Sequence, residues 1–229
     1  MSLLYRRRQF THGPPVVTYL GQGANNSGSA ARVVYRGLGL GQGHLGAINS
    51  NKLIVGIISQ NDSAVPIGAY INGCNAPAYG VTAGATGIGI FCALVPDDGA
   101  SPVVDVRYSA NFSGTPNLSL WSIVGLSSPI PRSIAVSNLA GADTVRTVDV
   151  NSEVGGVIVA MAANNITAAN SCTWTGDQTL TENVDGAGGG GLYSSAMIQG
   201  TNADGANTVT ATFAVISTTG IGLLAAAFR

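Results

Sequence analysis

Two periods of hydrophobic and polar positions compete along the chain, and the period of two prevails almost everywhere. The segments "NKLIVGIIS" (51–59), "GIGIFCALV" (87–95), "VVDVRYSANF" (103–112) and "NLSLWSIVGL" (117–126) are short β-branched or aromatic runs closed by Gly, Pro, Asn or Asp. The second half continues with "TVRTVDV" (144–150), "VGGVIVAMA" (154–162), "CTWTG" (172–176), "LYSSAMIQG" (192–200), "NTVTATFAVI" (207–216) and "GIGLLAAAF" (220–228). Each is expected to be a strand. In 103–112, Val104, Val106, Tyr108, Ala110 and Phe112 share one face, and Asp105, Arg107, Ser109 and Asn111 share the other. In 207–216, Val209, Ala211, Phe213 and Val215 oppose Thr208, Thr210 and Thr212. One face is core and the other is wet.

Turn chemistry agrees with the strands. Asn72-Gly73, Asp98-Gly99, Asp185-Gly186 and Asp204-Gly205 are the dipeptides that tolerate the positive φ of tight hairpins, so four antiparallel reversals are expected there. No window of 11 or more residues keeps an i, i+3, i+4, i+7 apolar stripe free of Gly or β-branched residues, and single turns near Pro129–Arg132 are the most helix expected. Strands spaced at roughly 8–12 residues with turns between them predict an all-β, antiparallel, jelly-roll-like sandwich over residues 51–229. Residues 1–50 differ: they are rich in Gly, Asn and Ser around one strand at Arg32–Arg36, and are expected to form an extended arm stiffened at Pro14-Pro15. "GQG" at 21–23 recurs at 41–43, but no fixed long period continues it, so a repeat architecture is not expected.

Composition narrows the function classes. Charged residues are 9% of the chain against 45% hydrophobic, at a net charge of −1, which is the balance of a packed, weakly charged protein and not of a disordered one. Arg6, Arg7 and Arg8 hold three of the ten basic residues, and Lys52 is the one lysine. A nucleic-acid footprint needs Lys and Arg spread along a face among aromatics, so no nucleic-acid partner is expected. The apolar runs are too short for a helical membrane span, and the start lacks a signal-peptide apolar segment, so no membrane partner is expected either.

Candidate chemistry is sparse. "GLGLGQGHLG" (37–46) contains Gly41-x-Gly43-x-x-Gly46, the spacing that cradles a dinucleotide pyrophosphate when a helix follows. Here "AINSNKLIVGIIS" follows and runs straight into a strand, so a nucleotide site is not expected, and the glycines suit an arm pressed against neighbouring backbone. His12 and His44 have no sequence neighbour that makes a catalytic dyad, and no Gly-x-Ser-x-Gly elbow occurs. Asp97-Asp98 in "PDDGASP", and Glu182 with Asp185, carry the functional readings of Ca²⁺ ligands or an acid pair, but turn formation alone asks for such residues. Trp121 and Trp174 fall at core positions of strands, which disfavours sugar stacking. Cys74, Cys92 and Cys172 are odd in number and far apart, so neither zinc nor an obligatory disulfide framework is expected. The sequons at Asn111, Asn117 and Asn165 matter only in a secretory pathway. No cofactor and no catalytic or metal-binding residue is expected.

From about Lys52 to Arg229 the order of "KLIVGIIS", "PIGAYINGCNAPA", "GIGIFCALVPDDGASPVVDVRYSANFSG", "LSLWSIVGL", "GGVIVAMAAN", "TWTG", "YSSAMI" and "VTATFAVISTTGIGLLAAAFR" resembles a group of phage and prophage β-sandwich proteins. The resemblance implies a jelly-roll-like module of a virion, without catalytic residues. The function expected is therefore a non-enzymatic bacteriophage structural protein, a capsid decoration or head fibre ahead of a neck or tail appendage. Its partners would be copies of itself and other virion proteins, and its location the virion. Leu3, Leu4, Tyr5, Arg6, Arg7 and Arg8 are the residues expected to attach it, by apolar burial and Arg–carboxylate pairing. The alternative is a carbohydrate-binding module for host adhesion.

Overall fold

The computed structural model describes residues 15–24, 30–35, 52–60, 63–83, 86–95, 103–112, 116–126, 128, 130–139, 142–164, 171–188, 191–217 and 220–229. Every regular element among them is a strand, as the alternation requires. The first half holds β1 (Val16–Ala24), β2 (Ala30–Tyr35), β3 (Lys52–Gln60), β4 (Pro66–Ile71), β5 (Cys74–Ala76), β6 (Ala78–Ala83), β7 (Thr86–Val95), β8 (Val104–Phe112) and β9 (Asn117–Val124). The second holds β10 (Ser133–Leu139), β11 (Asp143–Ser152), β12 (Val157–Asn164), β13 (Cys172–Gly176), β14 (Thr181–Gly188), β15 (Gly191–Gln199), β16 (Gly205–Ser217) and β17 (Ile221–Phe228).

These strands build four antiparallel sheets. The first half forms an inner sheet, β1-β9-β3-β7-β6, and an outer sheet, β2-β8-β4-β5; the second forms an inner sheet, β10-β17-β12-β15-β14, and an outer sheet, β11-β16-β13. From β1 to β4, and again from β10 to β13, each strand crosses to the sheet opposite its predecessor, the double Greek-key course of a jelly roll. Apart from β5, which has no counterpart, the two courses match strand for strand: β1 corresponds to β10, β9 to β17, β3 to β12, β7 to β15 and β6 to β14, while β2, β8 and β4 correspond to β11, β16 and β13. Corresponding strands β3 and β12, β7 and β15, and β9 and β17 start at Lys52 and Val157, Thr86 and Gly191, and Asn117 and Ile221, an offset of about 105 residues each time. The chain is thus an internal duplication. The sandwich expected over 51–229 resolves into two, and their offset is longer than the 20–50 residues at which repeat arrays announce themselves.

Burial explains the strand compositions. The two inner sheets pack face to face, with Leu53, Ile90 and Trp121 from one against Met161, Leu224 and Phe228 from the other. Each inner sheet also packs on its own outer sheet, through Phe91, Val106 and Leu120 in the first half and Ile158, Val209 and Phe213 in the second. Strands buried on both faces need no alternation, and β12 and β17 are buried at every residue. Outer strands keep it: in β11 the alternate residues from Arg146 to Ser152 are buried and those between are exposed. Across the central interface β6 lies on β10, its counterpart β14 lies on β1, and β3 lies on β12. Those reciprocal contacts describe a pseudo-two-fold axis along the strands, so equivalent ends of the two sandwiches point the same way.

Several local expectations change. Residues 16–24 and 30–35, inside the stretch expected as an arm, are strands β1 and β2 paired to β9 and β8. β1 carries a bulge at Tyr19/Gly21, with Gly21 at φ 122, which turns Leu20 toward the first outer sheet while Tyr19 faces the second sandwich. Asn72 (φ 47) and Gly73 (φ 81) make the expected two-residue hairpin between Ile71 and Cys74. Pro77 then separates β5, paired to β4, from β6, paired to β7, and carries the chain from outer to inner sheet. Asp185-Gly186 is not a turn: both residues pair within β14, with Ser194 and Tyr193 of β15. β12 starts at Val157, not 154, because Val154-Gly155 form a turn with Gly155 at φ 78. Ile130–Arg132 form no helical turn and lead into β10, which the sequence pattern does not announce.

Candidate functional site

The residues singled out in the sequence do not converge. Leu3, Leu4, Tyr5, Arg6, Arg7, Arg8, His12, the Gly37–Gly46 run with His44, Asp97, Asp98 and Asn165 lie outside the described residues. Glu182 and Asp185 lie on β14, paired to Ala196 and Ser194 of β15. Trp121 is fully buried between the two sandwiches, where Tyr19 tilts against it at 5.8 Å between ring centroids. Trp174 is half-buried on the inner face of the second outer sheet, and its Nε1 donates to Ser194 Oγ at 2.8 Å. Neither tryptophan is an exposed platform. Cys92 and Cys172 are buried and Cys74 is half-buried; burial pushes the Cys92 thiol up to about 11. Of the sequons, Asn111 is exposed at the end of β8 and Asn117 is buried at the start of β9.

Polar chemistry on the outer faces is largely self-contained. On the first, Arg32 Nε donates to both carboxylate oxygens of Asp105 at 2.8 and 3.0 Å, and the guanidinium beside it holds the Asp105 carboxyl below its usual range. One strand over, Arg107 sits 5.3 Å from the Tyr70 ring centroid, a cation–π contact. On the second, the register puts Thr147, Thr210 and Thr175 in one row, with Thr212 and Thr173 in the next. Their hydroxyls partner nearby groups: Thr147 Oγ1 lies 2.9 Å from Thr210 Oγ1, and Thr208 Oγ1 donates to Asp149 Oδ1 at 2.9 Å. Among the described residues no three His, Cys, Asp or Glu side chains gather to hold a metal ion.

One end of the stack is different. β1 begins there at Val16, whose partner across the ladder is Val124, the last residue of β9. Leu94, near the end of β7, pairs with Leu53 at the start of β3, so it lies at the same end. At the matching end of the second sandwich the chain from β9 is pinned to β17, with Ser128 N donating to Arg229 O and Arg132 N to Ala227 O. Glu153 pairs with both Arg132 and Arg229, which fixes the residue after β17 beside the β11–β12 turn. Between these anchors Ile130 and Val154 stand 63% and 55% exposed, with Val16 at 56%, Leu94 at 42% and Val124 at 38%. Five of the large exposed apolar side chains thus share the end at which β1 begins and β17 finishes. Composition and alternation do not reveal this, because each of these residues sits at a strand terminus or in a connection.

Compared with protein-family models, curated proteins and solved structures, the chain matches none. The duplicated jelly roll and its apolar end therefore stand on their own geometry.

Proposed function

We propose that the protein is a non-enzymatic structural component of a bacteriophage particle, a double jelly roll attached through its N-terminal segment, as a capsid decoration or head fibre ahead of a neck or tail appendage. The observation that supports this best is the fusion of two jelly rolls through a fully buried core, which makes one continuous block. An apolar end next to the N-terminal segment suits attachment and self-association better than turnover of a substrate. The test is incorporation. Deleting residues 1–14 should leave a folded β protein, by circular dichroism, that no longer co-purifies with particles. Normal incorporation of the truncated chain would overturn the attachment role.

The adhesion alternative has lost its two tryptophans to the interior and would rest on Tyr79, 43% exposed on the β6 edge, and on the Arg107–Tyr70 pair. Glycan-array binding that Tyr79→Ala or Tyr70→Ala abolishes, with folding intact, would favour it over the structural role.

A further inference from the structure

We infer that the apolar end formed by Val16, Leu94, Val124, Ile130 and Val154 is the seat for the N-terminal segment, residues 1–14, of a second copy of this chain. The inference rests on the attachment role proposed above and names its partner. Three observations carry it.

The first is concentration. Exposed single hydrophobics are ordinary, but five at one end of a chain that is only 9% charged give that end an apolar character that water disfavours. The other large exposed apolar side chains among the described residues, Ile67, Tyr79, Val103, Val145 and Ile216, lie on or beside five different strands.

The second is the occupant's chemistry. "MSLLYRRRQFTHGP" carries Leu3, Leu4, Tyr5 and Phe10, apolar side chains of the kind the patch lacks, with Arg6, Arg7 and Arg8 between them. The β7–β8 connection, which holds Asp97 and Asp98, leaves from Val95 at the same end and supplies opposite charge in sequence. The arginines therefore add a salt-sensitive component to an apolar anchor.

The third is direction. β1 runs inward from Val16, behind the buried Pro15, so the N-terminal segment is joined to the body at this end. Folding back over its own end requires the chain to reverse next to Pro14-Pro15. Each proline fixes φ near −65° and biases the residue before it toward extended backbone. Fourteen residues extend to about 46 Å at ~3.3 Å each, enough to cross to a neighbour's patch. An arm-into-end exchange of this kind repeats from copy to copy, closing into a ring or continuing as a file.

The experiment compares four purified chains by sedimentation velocity over a concentration series, at low and high salt: the full chain, the chain lacking residues 1–14, Leu3→Asp/Leu4→Asp, and Ile130→Asp/Val154→Asp. The last two positions are exposed enough that their charges do not unfold the sandwich. The expected result is a full chain that assembles, less so at high salt, and three variants that stay monomeric with unchanged circular dichroism. Mixing the arm variant with the end variant should give heterodimers and stop there, since each retains one half of the exchange. A full chain that is monomeric at its highest attainable concentration overturns the inference, and so does an end variant that assembles as the parent does. Assembly with no co-purification in particles would sink the virion role alone; incorporation of an end variant that no longer self-associates would sink this inference alone.

Discussion

In the first sandwich the row that crosses the inner sheet at its centre is Leu120, Gly56, Phe91; in the second the corresponding row is Ala225, Ala160, Ala196. The outer rows are reversed in bulk. Val33, Val106 and Ala69 cross the first outer sheet, whereas Arg146, Ala211 and Trp174 cross the second. Both sandwiches fill the space between their sheets, the first mainly from the inner sheet and the second mainly from the outer one. The difference teaches that the duplicated backbone course fixes how much volume must be filled, and leaves open which layer supplies it.

The largest expected effect comes from reversing that choice in the first sandwich. Phe91 is fully buried, and its ring occupies the place of a Cβ on Gly56: an added Cβ would lie 2.3 Å from Phe91 Cε2. Phe91→Ala should cost about 3–5 kcal/mol in urea or guanidinium unfolding. Gly56→Ala alone should cost ~1–3 kcal/mol, because a ring packed on all sides cannot step aside. Together they recreate the Ala160–Ala196 pair of the second sandwich, so Gly56→Ala in the Phe91→Ala background should be neutral or stabilising. Additive costs in this cycle would show that the ring does not set the glycine.

The mirror experiment is Trp174→Ala, which removes bulk from the second outer sheet and leaves Ser194 Oγ, a buried hydroxyl, without its indole donor. The half-burial of Trp174 puts the expected loss below that of Phe91→Ala, at about 2–3 kcal/mol. A larger loss here than at Phe91 would break the correspondence between the two layers.

Much of this was legible in the sequence. Ten segments were marked by alternation or by apolar runs, and each contains a strand, because short β-branched runs between turn residues have little else to become. The core positions of Trp121, Val104, Val106, Val209 and Phe213 followed from period two. β1, β6, β10 and β14 were not legible, since "VVTYLGQGA", "AYGVTA", "SIAVSNL" and "TENVDGAG" mix small and polar residues at the edges of the inner sheets. The duplication was hidden for the reason the rows show. Phe91 answers to Ala196, Ala69 to Trp174 and Val33 to Arg146, so equivalent positions face the corresponding core but differ in residue type. The apolar end was hidden because it is assembled from strand termini far apart in the chain.

Arg146 tests the same correspondence at lower cost. It is 5% exposed where the first sandwich has Val33, and it is held by Asp143, Val145 O and Ile221 O. Arg146→Val copies the first sandwich and should cost ~1–3 kcal/mol, since the buried Ile221 carbonyl and the part-buried Val145 carbonyl lose a charged donor. The Asp143 carboxyl lies below its usual range, chiefly through the Val145 N–H and then Arg146. A carboxyl lowered in the folded state contributes stability that is present above its ordinary pKa and lost as pH falls through the lowered one. Arg146→Val should therefore flatten the acid limb of the stability–pH curve, while Asp105, lowered by Arg32, preserves the part belonging to the first sandwich. An unchanged acid limb would remove Arg146 from that role.

The smallest perturbation asks whether the two sandwiches open separately, first in the unaltered chain and then with Phe91→Ala. Cys92 faces the shared core between the inner sheets, Cys172 faces the core of the second sandwich alone, and Cys74 packs at the margin of the first. A thiol reagent in native buffer should modify Cys74 first, because Cys92 and Cys172 are reached only through opening. Burial holds the Cys92 thiol at about 11, so little thiolate forms near neutral pH until its cover moves away. If Trp121 and Phe228 bind the halves into one cooperative unit, Cys92 and Cys172 should show the same opening free energy, and Phe91→Ala should lower both together. If the second sandwich opens on its own, Cys172 is labelled at a lower free energy than Cys92 and is indifferent to Phe91→Ala. The shared core predicts the first outcome, because neither inner sheet can expose its central face without exposing the other's.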